Sequence, residues 1–122
     1  MDVQLFGHAK SKATRSAQRF FSERRVPVHV VDVRKRHPAP GELRRWVQRF
    51  GVEGVLDPAS KAYVDQGLRY VSASDDDWVQ RLSADPMPLA FPLGRCGAEL
   101  TVGEDPEGWR RLPDPPTGGP GR

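Results

Sequence analysis

Two short apolar runs on either side of one helical pattern constrain the fold of this chain more than any other feature. The run Val3 to Phe6 has the composition of a short buried strand, and residues 26–33 (VPVHVVDV) have the β-branched density of an interior strand. Between the two runs, four apolar side chains repeat on one helical face: Ala13, Ala17, Phe20 and Phe21. The chain therefore begins with a strand, a helix and a second strand.

A block of helices is predicted for about residues 40–84. Its first helix follows Pro40, has apolar residues at helical spacing from Leu43 to Phe50, and ends at Gly51, a residue type that favours helix C-termini. A second, short helix includes residues 63–68. The three aspartates at 75–77 suit the positive N-terminal end of a third.

The last third of the chain predicts a β-hairpin and one more helix. Residues 89–103 (LAFPLGRCGAELTVG) contain two short apolar runs around a glycine-containing turn, and a helix is expected from about Asp105 to Leu112. Residues 113–122 (PDPPTGGPGR) have no apolar anchor and are expected to be a disordered tail. We expect one domain over residues 1–112, with the helical block as an insertion.

Composition excludes several classes of protein. The sequence has neither a signal-peptide pattern nor an apolar run near the roughly 20 residues of a membrane helix, so a cytoplasmic protein without a membrane association is expected. A single cysteine, Cys96, excludes an intrachain disulfide and a multi-cysteine metal site. No metal or cofactor is predicted. Beside Gly97 in the predicted turn, Cys96 is expected to be an exposed free thiol.

The charges are distributed unevenly along the sequence. Residues 1–50 contain 12 Lys or Arg and 4 Asp or Glu, whereas residues 51–122 contain 7 and 12. The basic first half could be a surface for nucleic acid or for an acidic partner, or only a solvated helix surface. Nucleic acid is not predicted directly as a partner.

The loop GHAKSKATR, residues 7–15, joins the first strand to the first helix and is the candidate site. Free N–H groups at a helix start, flanked by Lys10, Lys12 and Arg15, form an anion-binding arrangement, in which Ser11 would take part. Ser11 has a second interpretation as the N-cap of the helix. His8 is interpreted as an exposed loop side chain, with a Ser–His catalytic pair as the alternative.

The order of motifs resembles the arsenate reductase (ArsC) and Spx family, whose fold is thioredoxin-like with a helical insertion. Six segments carry the resemblance, in this order: Phe6-Gly7 through Arg15; residues 31–35 (VDVRK); residues 40–50; Tyr63 to Leu68; Asp85 to Pro92; and Gly103 to Trp109. The resemblance covers residues 3–112.

The resemblance implies a nucleophilic cysteine at the position of Ser11 and the second cysteine of a CxxC at the position of Thr14. In the family, a thiolate attacks arsenic, arginines hold the oxyanion, and glutathione with glutaredoxin supplies electrons. Here both cysteine positions carry hydroxyl side chains, and Phe91 stands where an arginine usually precedes the proline. The resemblance also implies that Pro92 is cis.

Two functions follow as expectations. The first is a member of this family without thiol redox catalysis that acts through binding, as in the Spx branch, whose members contact the RNA polymerase alpha subunit. The second is an enzyme of altered chemistry that binds phosphate or arsenate at the Ser11 loop. The fold alone does not choose between them.

Overall fold

The structure is a computed structural model that describes residues 2–113. The elements follow one another as β1 (Val3–Gly7), α1 (Lys12–Glu23), β2 (Val28–Asp32), α2 (Pro40–Val55), α3 (Lys61–Asp65), a 3-10 turn (Leu68–Tyr70), α4 (Asp75–Ala84), β3 (Leu93–Cys96), β4 (Glu99–Val102) and α5 (Pro106–Arg111). The predicted α/β order, with a helical block before a hairpin and a last helix, is confirmed. The predicted tail lies outside the described residues, apart from Pro113.

The four strands form one sheet in the order β2-β1-β3-β4. β1 is antiparallel to β3, with Phe6 opposite Leu93, and β3 is antiparallel to β4, with Gly94 opposite Thr101. The turn of this hairpin contains Gly97, whose φ of 60° lies in the left-handed region that glycine adopts without strain. The predicted hairpin is therefore confirmed.

The position of β2 differs from the prediction of an interior strand. β2 lies at an edge of the described sheet, and along it only Val31 is fully buried, while His29 is exposed. Val28 and Val30 are partly buried against the core between the sheet and α1 and α5. The β-branched density therefore reflects strand propensity and one packed face, not burial on both faces.

The described chain divides into two compact units. The first unit holds the chain up to Val31 and from Phe91 onward. Its core is formed by buried side chains of β1, α1, β3, α5 and the C-cap of α5: Val3, Leu5, Ala17, Phe21, Cys96, Trp109 and Leu112. Seven side chains removed from water, at about 1–3 kcal/mol each, supply the main stabilisation of this unit.

The second unit runs from Asp32 to Ala90 and is built on the packing of α2 against α4. Both helices bury their apolar faces, including Trp46 of α2 and Trp78 of α4. The Ser83 hydroxyl donates a hydrogen bond to the Pro38 carbonyl at 2.7 Å, which ties the end of α4 to the segment before α2. This unit is wider than the predicted insertion of about 40–84, and the single domain over residues 1–112 stays a prediction.

Two glycines with positive φ interrupt the helical segments. At Gly51 (φ 78°, ψ 162°) the backbone leaves the helical region, so α2 joins two helical stretches across a kink at the glycine where the first helix was predicted to end. Gly67 (φ 62°) ends the segment that was predicted as one short helix over residues 63–68 and separates α3 from the 3-10 turn. Glycine enters this region at low cost because it has no Cβ.

Candidate functional site

The candidate site is the loop between β1 and α1. Because Phe6 pairs with Leu93, this loop and the segment before β3 lie at the same end of two neighbouring strands. The ring of His8 meets the ring of Phe91 edge-on, with 5.2 Å between the centroids. The peptide bond between Phe91 and Pro92 is cis, as the family resemblance implies.

Ser11 is the N-cap of α1, which confirms that interpretation of the residue. Its backbone is extended (φ −81°, ψ 115°), and its Oγ accepts a hydrogen bond from the Thr14 N–H at 3.1 Å. Its own N–H donates to the His8 carbonyl at 3.1 Å, and its carbonyl accepts from the Arg15 N–H at 3.1 Å. These bonds fix the hydroxyl oxygen as an acceptor within the loop.

Thr14 is a packing residue at this site. Its side chain is 1% exposed, and within residues 2–113 its Oγ1 has no hydrogen-bond partner. A Cβ built on Gly7 would lie 2.4 Å from that oxygen, so the threonine side chain occupies the space that a side chain at position 7 would need. The structure places this hydroxyl against the end of β1 and away from solvent.

The loop presents positive charge around the helix start. Lys10, Lys12 and Arg15 are exposed, and none of them pairs with a carboxylate among the described residues. The Arg15 Nη1 donates to the Ala9 carbonyl at 2.6 Å, which holds the guanidinium over the loop. The N–H groups of Lys12 and Ala13 have no acceptor in the described chain, as is usual in a first helical turn. Together these groups favour an anion over a cation or a neutral ligand.

Cys96 is buried, which corrects the expectation of an exposed thiol. It is the last residue of β3, is 1% exposed and belongs to the core of the first unit. Burial raises the pKa of its thiol, so the reactive thiolate is disfavoured. Cys96 ends β3 and Pro92 precedes it, so the extended chain separates the two residues by about 13 Å, at 3.3 Å per residue. The thiol therefore lies at the other end of β3 from the cis proline.

His8 also differs from its expected exposure. The residue is half-buried, and its Nδ1 is out of contact with solvent. The contact with Phe91 explains the difference, since a neighbour far away in sequence covers the ring. Spacing within the loop could not reveal that neighbour, although the motif around Pro92 was a signal that this segment belongs to the site.

Residues 2–113 contain no group of three or more His, Cys, Asp or Glu side chains arranged to hold a metal ion. Within the same residues no helix combines the length and the apolar character needed to cross a membrane.

Solved structures with the same fold were found by comparison of the coordinates. An arsenate reductase from Vibrio cholerae superimposes with a TM-score of 0.79 at 20% identity, covering 92% of this chain and 98% of that one. A protein described as related to the ArsC family, from Bacteroides fragilis, gives 0.82 at 16% identity with the same coverages. An arsenate reductase (ArsC) related protein from Brucella melitensis gives 0.64 at 16% identity, covering 93% and 96%.

Sequence comparison adds nothing to this likeness. No protein-family model matches the chain, and no curated protein matches it. At these identities the structural likeness establishes the fold: the chain has the thioredoxin-like fold of the arsenate reductase structures over nearly their whole length.

Proposed function

We propose that this chain is a member of the arsenate reductase (ArsC) and Spx family that has lost thiol redox catalysis and acts by binding. One observation carries the proposal: a serine that caps α1 stands in the loop beside the cis proline, while the only cysteine of the chain is buried in the core. No thiol is therefore available to attack a substrate at the loop.

The chemistry of the replaced positions supports the loss. Reduction of a substrate by a protein thiol needs a side chain that ionises readily and can then form a disulfide. The hydroxyls of Ser11 and Thr14 do neither. Thr14 is in addition buried against Gly7. Phe91, at the position of the family arginine before the proline, contributes a ring contact to His8 instead of a positive charge.

The binding role that we propose is regulatory. By analogy with the Spx branch, the partner would be the alpha subunit of RNA polymerase in the cytoplasm, and the unpaired cations Lys10, Lys12 and Arg15 would meet acidic groups of that partner. Without a CxxC, such a contact would not respond to oxidation.

Oxyanion binding at the loop is the second candidate function, and a separate observation favours it. The N–H groups of Lys12 and Ala13 lack acceptors in the described chain, and the surrounding cations lack carboxylates. Phosphate or arsenate would accept hydrogen bonds from these N–H groups and would pair with these cations. As an enzyme of altered chemistry, the protein would then need an external thiol as reductant.

The deciding experiment combines calorimetric titration of arsenate and phosphate with an arsenate reduction assay that contains glutathione and glutaredoxin. The wild-type protein and Ser11→Cys are compared with Ser74→Cys as a matched control, because Ser74 caps α4 with the same 3.1 Å bond but among aspartates. Turnover in Ser11→Cys alone would support a family scaffold that lacks its nucleophile. Turnover by the wild-type protein would overturn the proposed loss of catalysis.

A pull-down of purified RNA polymerase alpha subunit tests the partner. Capture that weakens with salt and with Lys10→Gln/Lys12→Gln would support the regulatory function. No capture together with tight oxyanion binding would favour the second function.

A further inference from the structure

The turn after β2 and the part of α2 before the kink at Gly51 carry exposed cations that form a strip, here named the cationic strip: Lys35, Arg36, Arg45 and Arg49. Among the described residues only one of the four has a carboxylate within ion-pair distance, namely Arg36, whose Nη1 lies 3.9 Å from Glu42. At that distance, and with the Arg36 side chain exposed to solvent, the pairing is weak. The strip is therefore a surface of largely uncompensated positive charge.

The turn that presents the strip is ordered by Asp32. The Asp32 carbonyl accepts hydrogen bonds from the N–H groups of Lys35 and Arg36 at 3.0 Å, and its Oδ1 accepts from the Arg34 N–H at 2.9 Å. The carboxylate also faces the Arg34 guanidinium at 3.4 Å, which is its main ionic contact, and its charge interaction with Lys35 is weaker. The cations are thus held on a defined backbone.

The geometry of α2 continues the strip along one helix face. At 100° per residue, positions 42, 45 and 49 fall within about 60° of one another. Before the kink at Gly51, Glu42 is the one acid on this face, and its Oε1 accepts from the Ala39 N–H at 2.9 Å, while Glu53 follows Arg49 by four residues beyond the kink. Arg44 points to a different side of the helix, where it binds Asp76 at 2.7 Å. The acidic start of α4 therefore engages α2 away from the strip.

An exposed aromatic side chain adjoins Arg49 of the strip. Phe50 follows Arg49 and is 37% exposed, with the Arg49 guanidinium 5.6 Å from the ring centroid. Single-stranded nucleic acid requires charge for the phosphates, which the strip supplies, and a surface on which a base can stack, for which the partly exposed ring of Phe50 is the candidate. An acidic protein segment would need only the charge.

We propose that the cationic strip and Phe50 bind single-stranded nucleic acid, with phosphates on the cations and a base stacked on Phe50. The Ser11 loop takes no part in this surface, so the inference is independent of the proposed function.

Fluorescence anisotropy of a labelled oligothymidylate of about 12 nucleotides, measured between about 50 and 200 mM salt, tests the proposal. Four contacts predict a slope of log affinity against log salt near −3, at about 0.7 per phosphate. In the variant Lys35→Gln/Arg45→Gln/Arg49→Gln, this slope is expected to become less negative by about 2.

A matched control separates the strip from net charge. Lys61→Gln/Arg81→Gln/Arg110→Gln removes one lysine and two arginines from elsewhere, and Lys61 and Arg110 are already paired with Asp65 and Glu107. The control is expected to keep the wild-type slope.

Phe50→Ala tests the stacking contact separately. It is expected to weaken binding at least about fivefold while the salt slope stays unchanged. No binding by the wild-type protein, or an equal loss in strip and control variants, would overturn the proposal. Unchanged binding in Phe50→Ala would also overturn it, because binding through charge alone would not distinguish a nucleic acid from any other polyanion.

Discussion

Gly7 and Thr14 approach each other so closely that a Cβ on Gly7 would lie 2.4 Å from Thr14 Oγ1 and 2.7 Å from its Cγ2. This contact joins the last residue of β1 to the first turn of α1, on either side of the candidate loop. The buried threonine thereby fixes the position of the N-terminus of α1 against β1. Because Gly7 has no side chain, the space beside it is free for the Thr14 side chain.

Gly7→Ala is therefore expected to lower the free energy of unfolding by about 1–3 kcal/mol through overpacking. In the Thr14→Ala background the nearest Thr14 atom left is Cβ at 3.1 Å, so most of that loss should be recovered. Urea unfolding of the four proteins in a double-mutant cycle measures the coupling. Additive effects of the two substitutions would contradict this steric explanation.

Thiols introduced at the two capping serines should differ in acidity. In a Cys96→Ala background, the thiol of Ser11→Cys is expected to have a lower pKa than that of Ser74→Cys, by about one unit. Both positions lie at a helix N-terminus, but Lys10 and Lys12 flank the first, while the first turn after the second is Asp75, Asp76 and Asp77. Titration of the ultraviolet absorbance of the thiolate gives both pKa values.

Equal pKa values at the two positions would mean that the cations of the loop do not stabilise a negative charge at position 11. The anion-binding candidate function would then lose its electrostatic support.

Local sequence patterns predicted the elements of this fold well, because they depend on neighbours in sequence. The cap at Ser11 and the hairpin around Gly97 are examples, since each depends on a few adjacent residues. The edge position of β2 and the burial of Cys96 were missed, because both depend on which distant elements cover a residue. At the site, the loop was found but the contact of His8 with Phe91 was not, for the same reason.

Asp32 should make a pH-dependent contribution to stability. The hydrogen bond from the Arg34 side chain, followed by that from the Arg34 N–H, lowers the pKa of this carboxyl below its ordinary value of 3.8. A lowered folded-state pKa adds stability above the unfolded value, and this stability is lost as the pH falls through the folded value. Asp32→Asn keeps an oxygen acceptor for the turn but removes the charge.

Urea unfolding of wild-type protein and Asp32→Asn between pH 7 and pH 2 checks this sign. The stability difference is expected to be small, because the carboxylate is partly exposed to solvent, and to shrink below about pH 4. A difference that stays constant down to the lowest pH would show that the introduced amide perturbs the turn itself and that the charge contributes nothing.

Cys96 should be unreactive in the native protein despite being the only thiol. Its burial raises the pKa and blocks access, so an aromatic disulfide reagent at neutral pH is expected to modify it only as fast as the protein unfolds. In concentrated urea the same thiol should react at once. A native rate equal to the rate in urea would contradict the buried position.

The same burial predicts how stability changes in alkali. Because the folded pKa of Cys96 lies above the unfolded value, its contribution is complete below the unfolded value, near the ordinary value of 9.0, and is lost as the pH rises through the folded value. The difference in unfolding free energy between wild-type protein and Cys96→Ala is expected to be about 1–2 kcal/mol at pH 7, from lost packing, and should therefore narrow toward pH 10.

Cys96→Ser should lower the unfolding free energy more than Cys96→Ala does, because it buries a hydroxyl in an apolar cluster. Equal stabilities of the two variants would imply that the serine hydroxyl finds a partner, and with it a polar contact in the core.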